Sequence, residues 1–150
     1  SMKIGDKIPE FSLPDQDWNN LSNEDLLGSP FVIYFYPKDD TPGCTKEACS
    51  FRDAYEEISD AGARVIGVSA DSPEDHRNFK EKHNLPFDLL SDTQRSLQKA
   101  FDVPTNFFGL LPGRVTYIFN AEGTLVQKFS SQLKTERHVE ESLKALEAMN

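Results

Sequence analysis

The sequence predicts an α/β fold with a central mixed β-sheet flanked by helices. Residues 31–36 form a continuous apolar run that is typical of a strand covered on both faces, and residues 64–69, RVIGVS, predict a second buried strand. Residues 44–61 between them carry apolar side chains at spacings of three and four, the pattern of an amphipathic helix. This order predicts a right-handed βαβ unit with parallel strands. Two later β-prone runs, residues 115–119 and 124–129, predict an antiparallel hairpin that makes the sheet mixed.

Capping patterns predict where the other helices begin. Ser22 with Asp25 three residues later forms a capping-box pattern for a short helix, which Gly28 would close. Ser72 followed by Pro73 predicts the start of a helix that runs to about residue 84. The remaining predictions are a short strand near 87–90, a helix near 94–101, an irregular stretch over 103–113 and a closing helix to about residue 149, capped by Thr135.

This order of elements is that of the thioredoxin-like architecture. No repeat or linker-like segment interrupts it, so we expect one domain over residues 1–150. Ser1 before Met2 is interpreted as a remnant of tag removal. Ligands of such sheets bind at the carboxyl ends of the strands, which predicts a site in the loop after Tyr36.

Composition limits the function and the compartment. The 150 residues, 37% hydrophobic and 27% charged, suit a packed core with a charged surface. A net charge of -9 disfavours nucleic-acid and membrane partners, and no apolar run approaches the roughly 20 residues that a membrane span needs. Two cysteines are too few for a secreted disulfide scaffold. We therefore expect the cytoplasm, or an organelle if a targeting peptide has been removed.

Cys44 lies behind Pro42 and Gly43, at the first turn of the helix predicted after the first strand. Free backbone N–H groups and the positive end of the helix dipole favour a negatively charged sulfur there. Such a position suits a nucleophile. A lone cysteine is also commonly an inert buried thiol, so the residues around it decide between the two interpretations.

The segment around Cys44 resembles the active site of the peroxiredoxins. It reads FYPKDDTPGCTKEACSFRD and contains the pattern Pro-x-x-x-Thr-x-x-Cys at Pro37, Thr41 and Cys44. A second cysteine five positions on, Cys49, is similar to the bacterioferritin-comigratory-protein subfamily, also called peroxiredoxin Q. The similarity extends over residues 67–76, 85–92 and 114–119.

The resemblance implies a thioredoxin-dependent peroxiredoxin, an antioxidant hydroperoxide reductase of cell redox homeostasis. Cys44 would reduce hydrogen peroxide or an organic hydroperoxide and become a sulfenic acid, which Cys49 would resolve as an intramolecular disulfide. Thr41 would offer a hydroxyl to sulfur and peroxide, Pro37 would shield the sulfur from water, and Arg114 would supply a fixed positive charge. Thioredoxin or a similar dithiol would recycle the disulfide. We expect no cofactor and a monomer, with a weak dimer as the alternative.

The spacing of the two cysteines sets a geometric problem. In an unbroken helix, five residues correspond to about 7.5 Å of rise and an angular offset of about 140°, so the two Cα atoms lie over about 8 Å apart. A disulfide needs Cα atoms within about 7 Å. If Cys49 is the resolving residue, the first turns of the helix must unwind during turnover. The alternative is a packed, unreactive helix cysteine.

Other polar residues have weaker patterns. His76, His83 and His138 show no metal-ligand spacing with the cysteines, so we expect surface or capping residues and no metal. Glu47, one turn after the predicted nucleophile, would either orient an arginine or lie solvated on the helix. The apolar residues of the stretch 107–111 would line a pocket for a bulky hydroperoxide, bind a reductant protein or pack on the core.

Two rival functions share the predicted fold. A thioredoxin-like disulfide reductase would normally carry Cys-x-x-Cys, whereas four residues separate the cysteines here. A redox sensor would use the Cys44 switch to change partners without turnover. Catalytic consumption of peroxide distinguishes the peroxidase from both.

Overall fold

The structure, a computed structural model, describes residues 2–106 and 111–150. Its strands are β1 Ser12–Pro14, β2 Asn20–Ser22, β3 Phe31–Phe35, β4 Arg64–Ser69, β5 Asp88–Ser91, β6 Thr105–Asn106, β7 Leu111–Pro112, β8 Val115–Phe119 and β9 Leu125–Ser130. Its helices are α1 Pro42–Asp53, α2 Tyr55–Asp60, α3 Pro73–His83, α4 Ser96–Phe101 and α5 Thr135–Ala148, with a 3-10 helix over Asn23–Leu26. Within these residues no helix has both the length and the apolar character of a membrane span. The interpretation of the apolar stretch 107–111 falls almost entirely outside the described residues.

A five-stranded mixed sheet in the order β5-β4-β3-β8-β9 forms the centre of the molecule, and it confirms the predicted α/β class. Strand β3 pairs parallel with β4 and antiparallel with β8. The predicted βαβ unit and the predicted hairpin are therefore joined through β3. Every residue of β3 is buried, as expected for a central strand covered on both faces.

Successive side chains of β3 enter different cores. Odd-numbered residues of the strand belong to one buried cluster, while Val32 and Tyr34 belong to the other, together with Cys44. This alternation is the two-residue period of a strand. The ring of Tyr34 stacks on that of Phe51 with centroids 4.6 Å apart, which ties α1 to the face of β3. The helix that carries both cysteines is thus anchored through its last turns.

The amphipathic helix predicted over residues 44–61 is divided in the structure. Helix α1 begins two residues earlier, at Pro42, and a break at Ala54, with φ -97° and ψ 3°, separates it from α2. Phe51 before the break and Ile58 after it are both completely buried. Because both helices pack on the same core, the apolar spacing continues across the break, and the sequence pattern gives no sign of it.

Two of the predicted helix caps are confirmed by the structure and one is wrong. The backbone N–H of Ser22 donates to the Asp25 carboxylate, and Ser72 accepts a capping bond at the start of α3. The predicted cap at Thr135 is wrong by one residue, because Lys134 occupies the N-cap position and Thr135 is the first helical residue. The short pairs β1–β2 and β6–β7 were not predicted, since strands of two or three residues carry little periodicity.

The sheet register brings distant parts of the chain together. Val115, the first residue of β8, pairs with Phe35, the last residue of β3. Arg114 therefore lies beside the carboxyl end of β3, where the chain leaves the sheet towards α1. This is the edge at which the sequence predicts a site.

Candidate active site

Cys44 is the third residue of α1, and 1% of it is exposed. The first hydrogen bond of the helix runs from the N–H of Thr45 to the carbonyl of Thr41 at 2.9 Å. The N–H groups of Gly43 and Cys44 therefore precede the helical ladder. The sulfur lies at the positive end of the helix dipole, an arrangement that favours a thiolate.

Arg114 directs its guanidinium at this sulfur. Nη1 and Nη2 each lie 3.5 Å from Sγ of Cys44, and only 5% of the arginine is exposed. Gln132, in the segment after β9, fixes the arginine: its side-chain Oε1 accepts from the backbone N–H of Arg114 at 3.1 Å, and its carbonyl accepts from Nε at 3.2 Å. A preorganised positive charge therefore faces Cys44 with little solvent between them.

Glu47 holds the same guanidinium from the other side. Its Oε1 accepts from Nη1 of Arg114 at 2.8 Å, and the residue is completely buried. Of the two interpretations of Glu47, the arginine-orienting one fits the structure and the solvated one is wrong. Burial raises the pKa of Glu47 to about 8, although Arg114 acts in the opposite direction. In its protonated form, Glu47 still accepts the hydrogen bond but does not cancel the positive charge that faces Cys44.

His138 lies behind Glu47 and is neutral. Its Nε2 donates to the carbonyl of Ser131 at 2.8 Å, so Nδ1 of the neutral ring accepts from the hydroxyl of Thr116 at 2.7 Å. Burial lowers the pKa of His138 to about 4. Nδ1 lies 3.5 Å from Oε2 of Glu47, an oxygen without a hydrogen-bond partner in the described part of the chain. The loss of hydration at this oxygen is part of the burial that raises the pKa of Glu47.

Two of the three histidines are not the surface or capping residues that we expected. His138 and His76 are completely buried. His138 shares the inner face of α5 with Ser142 and Leu146, and His76 lies three residues before the buried Phe79 on α3. Their helical spacing from buried residues on the same helix is the sequence signal for their burial.

His83 is the third histidine, and its side chain is 18% exposed. Its Nε2 lies 3.7 Å from the Asp40 carboxylate. His83 is therefore half-buried at the end of α3, and its Nε2 is a buried atom without a hydrogen-bond partner among the described residues.

Thr41 occupies the N-cap position of α1, but its hydroxyl does not cap the helix. It donates to the carbonyl of Lys38 at 2.8 Å instead. The lone pairs of this oxygen remain available to accept a hydrogen bond, whereas its proton is committed. Pro37 is buried directly after Tyr36, where β3 has ended.

Cys49 is half-buried on the same unbroken helix as Cys44, and both thiols are free. Helical geometry then separates their Cα atoms by over about 8 Å. The structure describes the reduced arrangement, from which a disulfide cannot form without unwinding.

Sequence reasoning missed Gln132 and Thr116. Gln132 fixes Arg114 partly through a main-chain carbonyl, which any residue type could supply. Thr116 lies within a β-prone run and resembles an ordinary strand residue. No spacing pattern connects either residue to the cysteine motif.

Comparison with known proteins identifies the family. The model of the AhpC/TSA family matches residues 4–128. The chain belongs to this family. It is 46% identical to the chloroplastic peroxiredoxin Q of Gentiana triflora over 144 residues, which cover 96% of this chain and 66% of that protein. The corresponding protein of Populus jackii is 46% identical over 145 residues, which cover 97% of this chain and 68% of the relative. The chain thus spans about two thirds of the length of these relatives.

Solved structures agree with this assignment. Peroxidoxin BcpB of Mycobacterium tuberculosis superimposes with a TM-score of 0.93 at 35% identity, covering 100% of this chain and 99% of that one. A cysteine-to-serine variant of Xanthomonas campestris peroxiredoxin Q gives 0.85 at 36% identity, covering 93% and 92%. The predicted thioredoxin-like fold, the peroxiredoxin resemblance and the class of enzyme, a thiol peroxidase, are confirmed.

The raised pKa of Glu47 predicts a pH-dependent stability. Between about 4.5, its ordinary value, and about 8, the folded peroxiredoxin holds a proton that the unfolded chain releases. The free energy of unfolding should therefore fall as pH rises through this window. Glu47→Gln cannot titrate but keeps an acceptor for Arg114, so its stability relative to the parent should increase with pH.

Urea unfolding of the reduced proteins at several pH values measures this difference. Glu140→Gln removes an exposed carboxylate from α5 and serves as the control. If the Glu47→Gln and Glu140→Gln curves run parallel to each other across the window, the folded state does not hold the proton on Glu47.

Proposed function

We propose that this peroxiredoxin reduces hydroperoxides with Cys44 as the attacking thiolate and Cys49 as the resolving thiol, and that a dithiol protein recycles it. The observation that carries the proposal is the contact of the Cys44 sulfur with both terminal nitrogens of Arg114, at 3.5 Å each. A buried sulfur at a helix N-terminus with a permanent cation in contact is suited to react as an anion.

In the first step, the Cys44 thiolate attacks the terminal oxygen of the hydroperoxide. An S–O bond forms and the O–O bond breaks, so that the sulfur loses two electrons and the peroxide gains them. The sulfur becomes a sulfenic acid. The departing oxygen takes up a proton and leaves as water or an alcohol.

Arg114 acts on the charge in this step. Its guanidinium stays protonated at any working pH, so it stabilises the thiolate before the reaction and the negative charge on the departing oxygen during it. Thr41 directs its lone pairs to the O–H of the peroxide, because its own proton is donated to Lys38. Pro37 limits the access of bulk water to the sulfur.

In the second step, the Cys49 sulfur attacks the sulfenic sulfur of Cys44. An S–S bond forms, the S–O bond breaks and the oxygen leaves as water, which completes an intramolecular disulfide. Cys49 is the only other cysteine of the chain, so an intramolecular disulfide must use it. The first turns of α1 must unwind for this bond, because the helix holds the two residues too far apart.

Two thiols of the donor then reduce the disulfide, and thioredoxin is the donor we propose. The bacterioferritin comigratory protein of Xanthomonas campestris, a structural neighbour at 36% identity, is described by its alkyl peroxide reduction activity. That supports organic hydroperoxides as substrates here, beside hydrogen peroxide. We keep a monomer as the proposed assembly. The cytoplasm is the proposed compartment, with an organelle as the alternative, since the two plant relatives are chloroplastic.

Substitution of each cysteine tests the assignment of roles. Cys44→Ser should abolish peroxide reduction, because a hydroxyl neither ionises usefully nor accepts an oxygen atom. Cys49→Ser should react once with peroxide and then stall or depend on an added small thiol. A thioredoxin-coupled assay with hydrogen peroxide and an organic hydroperoxide measures both.

Substantial turnover by Cys44→Ser would remove Cys44 from the first step. Thioredoxin-dependent turnover of Cys49→Ser at the parental rate would remove Cys49 from the second. A parent protein that reduces disulfides but consumes no peroxide would favour the disulfide reductase, and a single reaction without recycling would favour the sensor.

Oxidation should melt the start of α1. Hydrogen exchange over residues 41–55 should be faster in the peroxide-treated protein than in the reduced one, because helical hydrogen bonds must open for the disulfide to form. Helix α3 serves as the internal control and should exchange equally in both samples. Equal protection over residues 41–55, with the Cys44–Cys49 bond confirmed by mass spectrometry, would contradict the unwinding.

Removal of the Arg114 charge should slow the first step. Arg114→Ala should lose about a hundredfold to a thousandfold in the rate of peroxide reaction, the usual loss for a preorganised donor, and Arg114→Lys should lose less. The alanine variant should also hold a smaller fraction of Cys44 as thiolate. Stopped-flow kinetics and iodoacetamide alkylation as a function of pH, both in a Cys49→Ser background, measure these two effects.

Arg77→Ala, which removes an exposed arginine of α3, is the matched control. Arg114→Ala with the same rate and the same alkylation profile as this control would exclude Arg114 from the chemistry.

A further inference from the structure

We propose that Asp39 and His76, a buried pair outside the cysteine motif, are positioning residues for the peroxide reaction, which they serve by fixing the loop that orients Thr41. The inference rests on the proposed function and extends it to residues that do not contact Cys44. His76 lies on α3, and Asp39 lies in the loop between β3 and α1. Both are buried, with exposures of 0% and 8%.

The hydrogen bonds of His76 place a proton between the two side chains. Nε2 lies 2.9 Å from the carbonyl of Leu90, which can only accept, so Nε2 carries a proton. Nδ1 lies 2.6 Å from Oδ2 of Asp39. A contact this short between two acceptors requires a proton between them, either on the ring or on the carboxyl group. The pair is thus imidazolium with carboxylate, or imidazole with carboxylic acid.

Asp39 forms two further hydrogen bonds with neighbouring elements, and the second of them is extended to Ser69. Its Oδ1 accepts from the hydroxyl of Tyr36 at 2.5 Å, and its backbone N–H donates to Oδ2 of Asp71 at 2.9 Å. The hydroxyl of Ser69 donates to the same Asp71 oxygen at 2.5 Å. Hydrogen bonds therefore connect the loop to the ends of β3 and β4 and to α3. Burial raises the pKa of Asp39, while its hydrogen bonds with His76 and Tyr36 act against burial.

The hydrogen bonds of Asp39 influence the position of Thr41 through the backbone of the loop. Lys38, the residue before Asp39, supplies the carbonyl that accepts the Thr41 hydroxyl proton. Asp40, which lies between Asp39 and Thr41, has a φ of 59°, in the left-handed region that is uncommon for residues other than glycine. The buried ties of Asp39 hold the chain in this turn and keep the Lys38 carbonyl beneath Thr41. The oxygen of Thr41 is then directed to where the peroxide must lie.

Asp39, Asp71 and His76 bring ligand atoms within 4.8 Å of one another, the spacing of a metal site. Both nitrogens of His76 are already engaged, one with a carbonyl and one with Asp39 at 2.6 Å. Hydrogen bonds among these three residues are therefore sufficient to explain why their side chains lie close together.

The test separates the positioning of Thr41 from folding and from thiolate formation. Peroxide needs Thr41, whereas iodoacetamide needs only the thiolate, so the ratio of the two second-order rate constants at Cys44 reports on positioning. We expect Asp39→Ala to lower the peroxide rate by about tenfold to a hundredfold, the range expected for a displaced catalytic group, and to leave alkylation unchanged. In a Thr41→Val background, the same substitution should have no further effect. All measurements use a Cys49→Ser background and quenched-flow mass spectrometry.

Asp39→Asn is the rescue variant. Its amide oxygen can accept from Tyr36, and its N–H group can donate to Nδ1 of neutral His76, so it should restore most of the lost rate without a charge. Lys82→Gln is the control, because Lys82 holds the same loop only through an exposed ion pair with Asp40. It should leave the ratio unchanged. If Asp39→Ala does not fold, Tyr36→Phe removes one tie alone and should give a smaller loss of the same kind, also absent in Thr41→Val.

Any of three results would overturn the proposal. The ratio of the two rate constants could be unchanged in Asp39→Ala, or Asp39→Ala could lower the peroxide rate just as much in the Thr41→Val background. Lys82→Gln could also lower the ratio as much as Asp39→Ala does. These outcomes differ from a failure of the proposed function. In that case Cys44 of the parent would itself react with peroxide no faster than a free thiol, and both proposals would fall.

Discussion

One buried guanidinium, that of Arg114, contacts both the Cys44 sulfur and the Glu47 carboxyl group, and the site depends on how this cation is held. Its place follows from the antiparallel register of β8 on β3. A slip of one residue would turn the side chains of β8 to the opposite face of the sheet and remove the cation from the cysteine. Gln132 accepts hydrogen bonds from the backbone N–H and Nε of Arg114, and Glu47 accepts one from Nη1. Because burial favours the protonated form of Glu47, the positive charge remains available to a thiolate.

The same helix must meet two opposed demands. Reaction with peroxide benefits from an intact first turn, because the helix dipole and the Arg114 contact both require Cys44 at its present position. The proposed resolution by Cys49 requires that this turn open, because Cys49 lies more than a full turn away on an unbroken helix. The part of the chain that contains both cysteines is held at each end by a different kind of contact. The loop before it is fastened by Asp39, and the helix after it is packed through Phe51. In the proposed mechanism, the unwinding is therefore confined to the part of the chain between these two contacts.

The sequence predicted what local patterns encode. The sheet, the position of Cys44 in the first turn of a helix and the peroxiredoxin resemblance all follow from periodicity, capping and a motif of consecutive residues. The prediction failed where long-range contacts decide the outcome. His138 and His76 are polar by type, and only the tertiary structure supplies the partners that bury them. The break at Ala54 was hidden for the converse reason, since the same core accepts the apolar side chains on both sides of it.

The account makes one central claim, that the Cys44 sulfur takes an oxygen atom from peroxide and passes the oxidation to Cys49 within the same chain. The most direct measurement is the stoichiometry of a single turnover, with reduced protein mixed with increasing amounts of hydrogen peroxide and no donor present. The account predicts that one peroxide consumes two thiols and that non-reducing mass spectrometry finds a Cys44–Cys49 bond within a single chain. Loss of one thiol per peroxide, or a bond that joins two chains, would contradict it.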